Sequence, residues 1–333
     1  GANPTRTALE NSFAAIENGT HGFAFSSGLS AIDCVLRLLN PGDEVIAGDD
    51  LYGGTYRMFT RLFKKYGLEF TFVDMNSVAN VTSAITEKTK LVWLETPTNP
   101  LMKIADIEEI TKAVKNKKPA IIVVVDNTFA TPYLQQPLNL GADLSIHSAT
   151  KFIDGQGRGV GGAVLGSKEL IEPIIQFCRT TGPALSPFNA WMFSKSLETL
   201  AVRMDRHCDS AMKLANHLEN TKGVKRVVYP FLKSHPQYDL AKQQMSQGGA
   251  LVAFEIEGGL EEGQAFLNKL NMCSLTANLG DTRTIVSHPA STTHSRMTVE
   301  NRLSVGISDS FIRVSAGLES CSDIISDIDQ ALS

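Results

Sequence analysis

Seven short apolar runs punctuate the first half of the chain, and windows of helical spacing lie among them. The runs are GFAFS (Gly22–Ser26), EVIAG (Glu44–Gly48), FTFVD (Phe70–Asp74), LVWLE (Leu91–Glu95), IIVVVD (Ile121–Asp126), DLSIH (Asp143–His147) and GAVLG (Gly162–Gly166). They are rich in Val, Ile and Phe and bounded by Gly, Pro and Asn, which is the signature of buried strands. The helical windows are Ser30–Leu39, Tyr52–Tyr66, Ile107–Val114 and Lys168–Phe177. This rhythm predicts an α/β fold built on a mainly parallel sheet, covered by helices on both faces.

From Pro187 the pattern changes. A long helical stretch, Pro187–Glu219, is followed by VKRVVYP, LVAFEIEGG, a helix near Leu260–Leu270 and a last strand FIRVSAG. Mixed strands and helices without strict alternation predict a smaller C-terminal α+β domain. The 333 residues are thus divided into a large domain, 1–200, and a small one, 201–333. No internal repeat or low-complexity segment interrupts either.

Composition removes several function classes. Hydrophobic residues make up 43% of the chain, enough for a sizeable core. The formal charge of −4, with no Lys/Arg cluster interleaved with aromatics, argues against a nucleic-acid partner. The longest apolar run, AIIVVV at Ala120–Val125, is too short to span a bilayer. No signal peptide is evident, although a chain starting at Gly1 leaves room for an upstream segment. Cys34, Cys178, Cys208, Cys273 and Cys321 are scattered without a C-x-x-C pair, as expected of reduced thiols in a cytoplasmic protein. His207 and Cys208 are consecutive and cannot converge on one helical face, so no metal site is expected there.

In open α/β sheets ligands bind beyond the carboxyl ends of the strands. Here those ends carry SSG after Gly22–Ser26, ETPTNP after Leu91–Leu94, Asp126 at the end of IIVVVD, and HSATK after DLSIH. The stretch IHSATKFIDGQGRGVGG (Ile146–Gly162) concentrates the question on Lys151. Gly157, Gly159 and Gly162 satisfy G-x-G-x-x-G, but a loop precedes them, strand-like AVLG follows, and TTGPALS downstream lacks the acid of a dinucleotide site. No P-loop occurs. His147 and Ser148 are consecutive, a poor geometry for a nucleophile and its base, and no G-x-S-x-G elbow exists. A lysine that holds an aldehyde cofactor as a Schiff base fits better. That chemistry asks for a carboxylate beside the pyridinium nitrogen, a Gly/Ser helix start for a phosphate, and an aromatic face for the ring. Asp126, Ser26–Gly28 and Tyr52 can furnish them.

The motifs NPT (Asn3–Thr5), SSG, DLYGGT, ETPTNP, VDNTF, HSATK, SPFNAW, NLGD, HPASTTH and IRVSAGLE follow one another in an order that resembles the Cys/Met-metabolism family of pyridoxal-phosphate enzymes, over essentially the whole chain. The resemblance implies the PLP-dependent transferase fold type I with a seven-stranded sheet, and pyridoxal 5'-phosphate as cofactor. It implies that Lys151 holds the cofactor and shuttles protons, that Asp126 pairs with the pyridinium, and that Tyr52 stacks on the ring and assists proton transfer. It assigns the phosphate to Ser27, Gly28 and Leu29 with the hydroxyls of Ser148 and Thr150, and sets Asn99 by the phenolic oxygen with Glu95 nearby. Arg313, with Asn278 beside it, is implied as the grip on the substrate α-carboxylate; the bland alternative is an arginine snorkelling from a half-buried strand.

Relatives carry a Tyr-x-Arg just before the Asn-Pro-Thr motif, on an arm that enters the neighbouring subunit's site. That arm is not in this sequence. The expectations are a dimer with shared sites, pairing into a tetramer, and a form that holds its cofactor weakly or not at all. FIDGQGRGVGG, RTTGPALSPFNAW and NLGDTRT resemble the O-succinylhomoserine sulfhydrylase branch most, and Gly54 stands where methionine γ-lyases carry cysteine. The implied reaction is γ-replacement on an amino-acid substrate, with sulfide as the sulfur nucleophile displacing succinate to form homocysteine. Cystathionine γ-synthase, O-acetylhomoserine sulfhydrylase, a cystathionine or methionine γ-lyase, and from another class a Rossmann-type oxidoreductase, stay open.

Overall fold

The computed structural model describes residues 3–292, 299–304 and 306–333. Thr293 and His294, which close the HPASTTH motif, lie outside the described residues. Two compact units emerge. The first comprises Gly1–Thr98, Ile104–Asp154 and Arg158–Thr199; the second comprises Asn99–Lys103, Gly155–Gly157 and Leu200–Ser333.

The first unit holds seven strands: β1 (His21–Phe25), β2 (Glu44–Gly48), β3 (Glu69–Val73), β4 (Thr89–Glu95), β5 (Ile122–Asp126), β6 (Leu144–Ser148) and β7 (Gly162–Gly166). Their order is β1-β7-β6-β5-β4-β2-β3. All pairings among β2 to β6 are parallel, while β7 runs antiparallel to both β6 and β1. The sheet is therefore the mainly parallel, seven-stranded one expected, with boundaries shifted by one or two residues. Side chains alternate across a strand, and both faces are buried. Val45, Ala47, Leu91, Trp93, Val124, Leu144 and Ile146 face the helices Gly28–Leu36 and Lys168–Thr181. Ile46, Val92, Leu94, Val123 and Val125 face the helix Ile107–Lys117 on the other side.

Two helical expectations need correction. The window Tyr52–Tyr66 is not one helix: an α-turn Gly53–Arg57 passes into a π-turn Met58–Leu62 and a 3-10 turn Phe63–Tyr66, ended by Gly67 at φ +89°. The segment begins on two glycines and is rich in aromatics, all middling or poor helix formers. Phe59 stacks on Phe70 at 4.8 Å and meets Trp93 edge-on at 5.5 Å, and this packing sets its course. The stretch Pro187–Glu219 likewise breaks into Pro187–Leu197 and Leu200–Leu218. Ser194 and Ser196 donate back to the carbonyls of Ala190 and Met192, and Thr199 donates to that of Ser196. Such back-bonding competes with the helical ladder and bends or ends it.

The second unit contains β8 (Val224–Val228), β9 (Leu251–Ile256), β10 (Ser274–Leu275), β11 (Ile285–Ser287) and β12 (Phe311–Ser315), ordered β10-β11-β12-β9-β8. Ile312 and Val314 of β12, with Val252 and Phe254 of β9, pack against the helices Leu200–Leu218 and Cys321–Leu332. The alternation places Arg313 on the opposite face, on the central strand of this sheet. Among the described residues, no helix is long and apolar enough to cross a membrane, and no group of His, Cys, Asp or Glu could hold a metal.

Candidate active site

The parity of the strands assembles the site of the first unit. Glu95 and Asp126 are register partners at the ends of β4 and β5. They share the face of Trp93 and Val124, and Ser148 shares it with Ile146. Their sequence neighbours Asn127 and His147 face the other way. There Glu17 Oε1 accepts from the amide of Asn127 (3.0 Å) and the hydroxyl of Ser145 (2.9 Å) and meets His147 Nε2, all fully buried. His147 is thus turned away from Ser148, which removes any nucleophile-and-base pairing.

On the first face a chain of hydrogen bonds ties the rim together. Thr128 donates both its hydroxyl (2.6 Å) and its N–H (3.1 Å) to Asp126 Oδ1. The same hydroxyl accepts from the N–H of Ser148 (2.8 Å), and Lys151 N–H donates to the Ser148 carbonyl at 3.2 Å. Both Thr128 bonds land on one carboxylate oxygen of a half-buried Asp126. Lys151 follows in the turn just beyond β6, also half-buried.

Ser27 caps the helix Gly28–Leu36, its hydroxyl accepting from Ser30 N–H at 3.0 Å. The N–H groups of Gly28 and Leu29 belong to the first turn, which has no intrahelical acceptors for them. The helix start sits close against the strands: a Cβ on Gly28 would come within 2.9 Å of Ser148 Cβ, and one on Gly162 within 2.3 Å of the Ser27 carbonyl oxygen. Only glycine at both positions permits this approach. Thr150 Oγ1 donates to Gly161 O (3.3 Å) and accepts from Gly161 N–H (3.2 Å), so its proton is spent on the chain.

Tyr52 stands at the N-cap of Gly53–Arg57 and is 46% exposed. Its N–H donates to Glu95 Oε2 at 2.8 Å. Burial, then the charge of Asp126 and that of Asp50, push Glu95 well above the usual carboxylate range against the pull of the Tyr52 N–H. Burial also raises Asp126, but the two Thr128 bonds and the His147 imidazole oppose it. Of two adjacent carboxyls, the one that accepts more hydrogen bonds is the better placed to carry the charge; Asp126 accepts two from Thr128 and Glu95 one from Tyr52.

In the second unit Arg313 is 1% exposed, so it does not snorkel. Its Nη1 donates to Asn99 Oδ1 (2.8 Å), and its Nη2 to the carbonyls of Asn278 (2.9 Å) and Ala277 (3.3 Å). Every one of these acceptors is neutral, and Nε has no hydrogen-bond partner. Burial pulls the guanidinium down to about 10, still charged at neutral pH. Asn99 is therefore an anchor for Arg313 in this structure.

The sequence pattern that defines the Cys/Met metabolism PLP-dependent enzymes matches residues 1–333. The chain belongs to that family. It is a pyridoxal-phosphate enzyme of cysteine and methionine metabolism. It is 44% identical over 333 residues to an L-methionine gamma-lyase of Fusobacterium nucleatum subsp. polymorphum, covering 99% of this chain and 84% of that protein. It is also 44% identical over 331 residues to the O-succinylhomoserine sulfhydrylase of Pseudomonas aeruginosa, covering 99% and 82%. The crystal structure of metB from Corynebacterium glutamicum superposes with a TM-score of 0.94 at 41% identity, covering 99% of this chain and 85% of that one. The fold is accordingly the type I fold of PLP enzymes.

The residues present fit the cofactor this family uses. A phosphate asks for unpaired N–H donors beside small residues, which Gly28 and Leu29 supply; a pyridinium asks for an anion with a free oxygen, which Asp126 supplies. The thiols are no rivals as nucleophiles: burial pushes Cys34 and Cys208 up to about 12 and Cys178 to about 11. Thr128, inside the VDNTF motif, stands at the centre of this hydrogen-bond chain, a place the sequence scarcely reveals. The one available signal was a Thr two residues after a strand-ending Asp.

Proposed function

We propose that this chain catalyses γ-replacement on an activated homoserine ester, with sulfide displacing succinate from O-succinylhomoserine to give homocysteine. The Cγ–O bond breaks, succinate leaves with its electron pair, and the sulfur of hydrosulfide forms the new bond to Cγ. Pyridoxal phosphate, when bound, supplies an aldehyde that condenses with amines and a ring that stores an electron pair. Asp126 holds the positive end of that ring, and the first turn of Gly28–Leu36 with Ser148 binds the phosphate. Nζ of Lys151 takes the proton from Cα of the substrate and later returns one. The Tyr52 hydroxyl handles the proton on the leaving-group side. Arg313 grips the α-carboxylate, where a fork of donors fixes the plane as well as the charge.

The observation that carries replacement over elimination is Gly54. A Cβ there would stand 2.3 Å from Tyr52 Cε1, so the tyrosine ring already occupies the space of a side chain at this position. A cysteine, the residue expected of methionine γ-lyases, would have to displace the ring. Elimination is the second reading, favoured by the 44% identity to an L-methionine gamma-lyase. Steady-state assays of O-succinyl-, O-acetyl- and O-phosphohomoserine with sulfide or cysteine separate the two. Homocysteine from the succinyl ester and sulfide is the expected product. Release of 2-oxobutanoate and ammonia from L-cystathionine or L-methionine, with no homocysteine from the ester, would overturn the assignment.

A further inference from the structure

Glu95 is costly where it stands. It is 8% exposed, it ends β4 beside Asp126, and Asp50 adds a third carboxyl to the same rim. A buried carboxyl next to another destabilises the fold unless it serves some contact. Its Oε2 accepts from the main-chain N–H of Tyr52, at the start of a segment that opens on two glycines. Gly53 and Gly54 leave the backbone after Tyr52 conformationally loose, and the tyrosine ring is itself half-exposed. The Tyr52 N–H is met there by Oε2 of Glu95, at the end of an interior strand of the sheet.

We propose that Glu95 is a positioning residue for the reaction: its carboxyl clamps the Tyr52 main chain and so sets the ring in register with Asp126. The proposal rests on the role given to Tyr52 above. In this role Glu95 acts through Tyr52 and not on the reacting atoms. The groups facing it are Asp126 from β5, Asp50 from the segment after β2, and Tyr52. What the clamp requires by geometry is an acceptor oxygen 2.8 Å from the Tyr52 N–H.

The test is a double-mutant cycle on the holoenzyme. Glu95→Ala is expected to lower kcat about 10-fold or more with KM within about threefold, as for an interaction that matters to the transition state. Glu95→Gln keeps an acceptor oxygen at the same reach and is expected to recover most of that loss; Glu95→Asp, one methylene short, is not. In the Tyr52→Phe background the Glu95→Ala loss should largely vanish, because residues acting through one another are not additive. The visible circular dichroism of the bound cofactor should change in Glu95→Ala and return in Glu95→Gln, a readout independent of turnover. Additive losses, or a Glu95→Gln variant as impaired as Glu95→Ala with an unchanged dichroic band, would overturn the proposal. If Tyr52→Phe alone costs nothing, both this proposal and the role of Tyr52 fall; if it costs much while the cycle is additive, only this one does. Should Glu95→Ala not fold, the Gln and Asp variants carry the same comparison.

Discussion

The close approach of Gly162 to the Ser27 carbonyl is the tightest constraint on the proposed phosphate site. Replacing Gly162 with alanine puts a Cβ 2.3 Å from Ser27 O, 2.6 Å from Ser27 C and 2.8 Å from Gly28 Cα. All three are backbone atoms, so no side chain can rotate aside. Ordinary contact begins near 3.4 Å, and the helix start must retreat from β7 by about 1 Å. That retreat moves the Gly28 and Leu29 N–H groups together, and a hydrogen bond lengthened by about 1 Å is no longer one. Bonds to a charged group are worth about 1.5–3 kcal/mol each, so losing one or two weakens cofactor binding by about 3 kcal/mol, roughly 100-fold in Kd. Titrating the apoenzyme with pyridoxal phosphate, followed by fluorescence quenching, measures this directly. Gly48→Ala is the control, since its Cβ would meet Met75 at 3.5 Å, Leu51 at 3.7 Å and the Asp50 carbonyl oxygen at 4.0 Å, all ordinary contacts. A folded Gly162→Ala protein whose Kd lies within about threefold of wild type would refute the phosphate assignment.

Two further outcomes follow from the geometry. Arg313→Lys keeps a charge but loses the fork that reaches Asn99 and Asn278; kcat/KM is expected to fall by about 2 kcal/mol, roughly 30-fold, mostly through KM, in assays with the preferred homoserine ester. In the second unit, burial pushes Asp327 up, but the N–H groups of Asn271, Met272 and Cys273 at 2.8–3.0 Å outweigh it and hold the carboxyl below its ordinary value. Its folded pKa is depressed, so its stabilisation is present above the unfolded value and is lost as pH falls through the folded one. Asp327→Asn should therefore cost about 1–2 kcal/mol in urea unfolding at pH 7, with the gap to wild type closing below about pH 4; a gap that persists at lower pH would contradict the sign.

Much of this is legible in the amino-acid sequence. Seven apolar runs between turn residues are local signals, and each became a strand of the first sheet. Local propensity misled where packing or side-chain competition decided. Phe59 turned Tyr52–Tyr66 into three different turns, and the serines around Ser196 split one long helix in two. The sequence leaves Arg313 between a grip on the substrate carboxylate and a snorkelling arginine, because its strand's position within the sheet, edge or centre, is not written in five residues.

By itself, the amino-acid sequence determined the strands, the polar residues at their carboxyl ends, and the order of motifs that fits the family. Each of these depends on residues close together along the chain, where alternation and turn chemistry act. Which of those residues meet was decided by tertiary structure. Strand order brings Glu95 beside Asp126, carries Ser148 to Thr128, and seats Ser27 on Gly162. Parity then sends Asp126 and Ser148 to one face and Asn127 and His147 to the other. Hydrogen bonds and steric contact act over a few ångströms in space, and only the folded sheet converts distance along the chain into that kind of proximity.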